Sequence, residues 1–159
     1  MFTMSRRVSR RLAQKNLYLH HIKLYLMKKQ ILGTLIGFLA LFGFGAIYYG
    51  ILTADAAAEM MAQYEGCIHT PNMGLIVLGN ILAAFLLVYV FDKMGVNDAK
   101  SGAYQGAMIM AIVFGLSQAF ATAQYTFYDG SFAMTEWVIG IIHGILGGAA
   151  IGAYNSKLA

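Results

Sequence analysis

Ile31–Thr53 reads ILGTLIGFLALFGFGAIYYGILT, 23 residues without one charged side chain. A helix rises ~1.5 Å per residue, so this stretch is long enough to cross a hydrocarbon core of ~30 Å. Three further segments repeat the pattern: Asn72–Phe91, Tyr104–Phe127 and Glu136–Tyr154. The chain therefore reads as an all-α integral membrane protein with four spans. Its composition agrees, at 59% hydrophobic and 11% charged, with a mean hydropathy of +0.63. Such values belong to a multi-pass membrane protein and exclude a soluble domain. Within 159 residues, four spans and their loops leave no stretch for a separate soluble catalytic domain.

The charges are sorted by loop. Arg6, Arg7, Arg10, Arg11, Lys15, Lys23, Lys28 and Lys29 precede the first span, Lys93 and Lys100 separate the second from the third, and Lys157 follows the fourth. The other two loops carry acids only, Asp55, Glu59, Glu65 and Asp129, with Glu136 at the start of the fourth segment. Cationic loops stay on the cytoplasmic side, so this arrangement places both termini in the cytoplasm. The net charge of +4 comes from that one face, where anionic lipid and topology account for it; no nucleic-acid partner is expected. Cys67 is the single cysteine and forms no internal disulfide. Small residues around Ala54–Ala58 mimic a signal-peptidase site, but the preceding apolar run exceeds the ~7–15 residues of a signal peptide and reads as an uncleaved anchor.

Punctuation residues set the helix ends. Ala54 to Gln63 are helix formers, so the first helix is expected to continue beyond the membrane until Gly66. Thr70 and Pro71 read as N-cap and first residue of the second helix. Gly95 ends that helix, Asn97 or Asp98 caps the third, Asp129-Gly130 makes a turn, and Ser131 or Thr135 caps the fourth. Glu136 then reads as a charge at a helix N-terminus, stabilised by the helix dipole. Short connections make sequential helices antiparallel, giving an up-down four-helix bundle. Tyr48, Tyr49, Tyr125, Tyr128 and Trp137 mark one interface, and Tyr89, Tyr104 and Tyr154 the other.

Two sets of residues are candidates for function. Gly140, Gly144, Gly148 and Gly152 recur every fourth residue through the fourth span, and Ala107, Ala111, Gly115, Ala119 and Ala123 do so in the third. Lipid tails are as apolar as Leu, so helices associate in lipid through close approach at small residues, and the two ridges are expected to pack on each other or on another subunit. The second set is polar: Asn80, Gln118 and His143 fall at similar depth and read as an intramembrane cluster, His143 being the one ionisable group at mid-span. No paired carboxylates, nucleophile elbow or phosphate-binding loop accompanies them, and no enzyme activity or cofactor is expected. Glu65, Cys67 and His69 lack a fourth ligand, so no metal is expected.

Gly45-Ala46-Ile47-Tyr48-Tyr49-Gly50, Gly102-Ala103-Tyr104-Gln105-Gly106-Ala107 and Gly147-Gly148-Ala149-Ala150-Ile151-Gly152-Ala153-Tyr154 together resemble the small four-span bacterial membrane proteins known as domain of unknown function 1761. The resemblance implies the same four-span architecture and transfers no reaction. It departs from that pattern after the first span, where Gly50-Ile51-Leu52 stands in place of an aromatic-Tyr-x-Pro turn. The expectation is a non-enzymatic structural or accessory protein whose partners are the lipid bilayer and identical or different membrane subunits; the alternative is a small oligomeric transporter or channel built around Asn80, Gln118 and His143. Residues 1–30 read as a basic amphipathic helix, while Met27-Lys28-Lys29 offers a second starting point at the edge of the first span. N-terminal sequencing of natively expressed protein decides between them: a chain starting at Met27 removes any role for the basic helix.

Overall fold

The computed structural model describes residues 3–66, 70–125 and 128–158. Among them the chain is helical, with no strand: α1 Thr3–Ile47, a π-helical turn Tyr48–Leu52, α2 Ala54–Gln63, α3 Met73–Met94, α4 Ala99–Gln124 and α5 Gly130–Ser156. Four helices are long and apolar enough to cross a membrane: Lys23–Leu52, Met73–Met94, Ala99–Gln124 and Gly130–Ser156. The chain divides into two compact units, Met1–Leu32 and Gly33–Ala159. In the first, α1 exposes Tyr18, Leu19, Leu24 and Tyr25.

The ends of the helices are fixed by specific residues. At α3 the cap is Asn72, whose side chain accepts from the Leu75 amide at 3.2 Å, and not Thr70; Pro71 stands outside the helix. Asn outranks Thr as an N-cap, and Pro71 sits just before it. Gly95 closes α3 in the left-handed region at φ 69°, where the Val96 amide donates back to the Phe91 carbonyl at 3.0 Å. Asp98 caps α4 through the Ser101 amide at 2.8 Å. Asp129, not Ser131 or Thr135, caps α5 through the Phe132 amide at 2.7 Å. That bond and a second from Ser131 hold the Asp129 carboxyl below the usual aspartate range. A carboxyl lowered in the folded state stabilises above its unfolded titration and loses that contribution on acidification. The expected continuation of the first helix is interrupted: the π-helical turn and Thr53, whose amide and hydroxyl both donate to the Tyr48 carbonyl, separate α1 from α2.

α5 meets each of the other long helices. Toward α4 its glycines lie against backbone. A Cβ on Gly144 would overlap the Gly106 carbonyl, and one on Gly148 would overlap the Gly102 carbonyl and stand 3.0 Å from Gly106 Cα. The relation is reciprocal, since a Cβ on Gly102 or Gly106 would overlap the carbonyls of Gly148 and Gly144. Gly152 meets the Asp98 carbonyl in the same way. Such Cα–carbonyl contacts between helices contribute about 0.5–1 kcal/mol each, and only glycine permits them. The order of contacts makes the pair antiparallel. A different glycine, Gly147, faces Leu41 of α1 and Leu87 of α3, while Gly37 of α1 receives Ile151 and Ala84. The core collects toward the end bearing Lys93, Lys100 and Lys157, as Leu41, Ala84, Leu87, Val88, Phe91, Val96, Met110 and Ile151. Buried Asn155 closes this basic end by donating to the Val96 carbonyl at 2.9 Å.

Gly106→Ala or Gly148→Ala should therefore destabilise the fold by several kcal/mol, because backbone must move. Gly43→Ala, where a Cβ meets nothing within 4 Å, should be neutral or stabilise by about 0.5–1 kcal/mol through helix propensity. Equilibrium unfolding in mixed micelles distinguishes them; equal responses would refute backbone contact as the cause.

Candidate functional site

At the opposite, acidic end the α5 face toward α1 carries Glu136 and His143. Glu136 is the seventh residue of α5, which starts at Gly130, so it is not a dipole-stabilised charge in the first turn. Its Oε2 accepts a hydrogen bond from the Tyr49 hydroxyl at 2.5 Å. The π-helical turn provides that tyrosine, adding a residue to one turn and thereby re-aiming the side chains that follow. Two turns further along α5, His143 is buried with Nδ1 3.1 Å from the Ile139 carbonyl of its own helix. Its Nε2 points at α1, 3.3 Å from where a Cβ of Gly45 would stand. Gly45 thus leaves room for an imidazole between α1 and α5.

Aromatic rings surround these groups. Phe44 meets His143 edge-on at 4.7 Å between centroids, Phe114 stacks at 6.1 Å, and Tyr49 stacks at 6.5 Å. Tyr48 packs edge-on against Tyr49 at 4.9 Å. Tyr128, in the loop before α5, donates to Gln118 Oε1 at 2.5 Å. Burial first, and then the negative charge of Glu136, push the Tyr128 hydroxyl above its ordinary titration range, against the lowering effect of the Gln118 bond.

The residues singled out by sequence are distributed as follows. Asn80 donates to the Ile76 carbonyl of its own helix at 2.9 Å, Gln118 pairs with Tyr128, and His143 bonds the Ile139 carbonyl. The structure gives these three no hydrogen bond to one another. Gly140 receives the ring of Phe114, and Gly144, Gly148 and Gly152 face α4 as described. Their partners on α4 are Gly102, Gly106 and Met110. Of the alanine ridge, Ala111 accepts from Trp137 Nε1 at 2.8 Å, and Gly115 lies under the same indole. Ala107 is half-buried, and Ala119 is exposed. Ala119 and Ala123 line, with Gly115, Gln118, Thr122, Ala133 and Trp137, an open groove of about 550 Å³ between α4 and α5. Cys67 and His69 lie outside the described residues. Sequence reasoning missed Tyr49 and Asn155; a hydroxyl two turns of α5 away from the histidine shows no spacing signal across separate helices.

Tyr49→Phe keeps the ring and removes the bond to Glu136. It should cost about 1 kcal/mol or slightly more, since the acceptor is a carboxyl group. Gly45→Val should cost more by driving the α1 backbone off the imidazole. Both are read from unfolding midpoints, and a Tyr49→Phe protein as stable as wild type would mean that the bond ties nothing together.

No protein family, curated protein or solved structure matches the chain.

Proposed function

We propose that this is a non-enzymatic structural or accessory subunit of a bacterial inner membrane, an up-down four-helix bundle with both termini in the cytoplasm. The observation that carries the reading is the use made of the polar side chains within the spans. Trp137 ties α5 to the Ala111 carbonyl of α4, Asn155 ties it to the Val96 carbonyl, Tyr49 ties α1 to Glu136, and His143 is wedged between α5 and α1. Among the buried side-chain oxygens and nitrogens of the described residues, only Thr34 Oγ1 lacks a partner. Hydrogen bonds between helices in lipid contribute about 0.6 kcal/mol on average, which suits polar groups acting as ties.

Gly140, Gly144, Gly147, Gly148 and Gly152 of α5 are occupied within the chain, so contact with other subunits falls to the flanks. From Met73 to Ala83, the first half of α3 has no buried residue, and α4 turns Tyr104, Met108, Ile112, Leu116 and Phe120 outward. The segregation of Lys and Arg supports the orientation.

The test is the native mass of gently extracted protein. A species well above the 17.3 kDa of one chain, with its companions identified by mass spectrometry, is the expected result; a bare monomer with no companion would overturn the accessory reading. A fluorescent protein fused after Ala159 should light up, and alkaline phosphatase at the same place should be inactive; the reverse would invert the topology.

A further inference from the structure

Glu136 is a half-buried carboxyl group whose hydrogen-bond partner is a neutral tyrosine hydroxyl. No Lys or Arg occurs anywhere in residues 30–92 or 101–156, so every segment that packs around it lacks a cationic side chain. What surrounds it is aromatic. Tyr49 keeps 42% of its surface exposed, and Tyr48 stands edge-on to it. A carboxylate in a partly dry place favours a counter-charge, and the faces of tyrosine rings attract cations, above all quaternary ammonium groups. The loops at this end add Asp55, Glu59, Glu65 and Asp129, a field that concentrates cations nearby.

We propose that Glu136, with Tyr48 and Tyr49, forms a binding site for an ammonium group. This goes beyond the accessory role and does not depend on it. The carboxylate supplies the charge, the Tyr49 hydroxyl fixes its orientation, and the rings take the place of water around the alkyl substituents. The ammonium can come from a free organic cation or from the head group of phosphatidylethanolamine, because the interfacial tyrosines and Trp137 put Glu136 at head-group depth.

Trp137 is the only tryptophan of the chain and adjoins Glu136, so its fluorescence reports the site. The full chain in nonionic detergent is titrated with tetramethylammonium chloride against sodium chloride at constant ionic strength. A saturable change is expected for wild type, weakened at least tenfold in Glu136→Gln, whose amide oxygen can still accept from Tyr49. Should that variant misfold, wild-type protein decides: carbodiimide labelling of Glu136, read by mass spectrometry, should be suppressed by tetramethylammonium. In nanodiscs, phosphatidylethanolamine added to phosphatidylglycerol should raise the apparent Kd for tetramethylammonium if the head group is the occupant, and leave it unchanged if a free cation is. A response no different from sodium, an equal response in Glu136→Gln, or labelling undiminished by the cation would each overturn the site.

Discussion

The contact of backbone with backbone between α4 and α5 is the constraint from which the rest follows. In lipid, apolar surface gains nothing by leaving its surroundings, so two helices stay together only if their contacts are better than those each makes with acyl chains. Carbonyl oxygens of Gly102 and Gly106 resting where side chains of Gly148 and Gly144 would stand give that advantage. Large side chains at those places would separate the axes and leave Trp137 out of reach of the Ala111 carbonyl. The same closeness explains why the ends of the pair need sharp definition: Asp98 both caps α4 and offers its carbonyl to Gly152.

With one side of α5 committed to α4, its remaining glycine and its polar residues govern α1 and α3. Gly147 admits Leu41 and Leu87, which seat the basic end of the bundle around Phe91 and Ile151. Toward the acidic end that apolar packing thins out, and the tie between α1 and α5 passes to His143 and Glu136. The two ends therefore differ in kind: one is held by close-packed aliphatic and aromatic side chains, the other by the Tyr49–Glu136 hydrogen bond and the rings around His143.

Much of this was legible in the sequence, though unevenly. Four apolar runs announce four helices, because hydrocarbon thickness and helical rise leave little freedom. Gly95 and Asp98 announce an end and a start through local chemistry. The four-residue glycine period of α5 identifies a helix that others approach closely. Its partner was harder to read, since Ala107, Ala111, Gly115, Ala119 and Ala123 form a longer stripe of small residues than Gly102, Gly106 and Met110. Spacing ranks stripes by regularity, but approach is decided by which residues have no Cβ at all, and those are Gly102 and Gly106. The partners of the polar trio were out of reach for a related reason: Asn80, Gln118 and His143 sit on helices whose rotation about their own axes no span-by-span count supplies. A hydrogen bond from Tyr49 to Glu136 requires the axial position and the rotation of two helices and an added residue in a π-helical turn, and none of these is written in one segment.

The distribution of charge gives the acidic end its chemical character. All cations of the chain lie before Gln30, around Lys93 and Lys100, or at Lys157, so the fold cannot neutralise Glu136 from within whatever the packing of its helices. What the carboxyl group holds instead is Tyr49, which has its hydroxyl on Glu136 and its ring on His143. A change in the charge of Glu136 alters the hydroxyl bond that positions this ring, and the ring lies against an imidazole wedged between α1 and α5. At the acidic end the ring of Tyr49 thus joins the two polar groups of α5, while the glycine contacts hold α4 and α5 together.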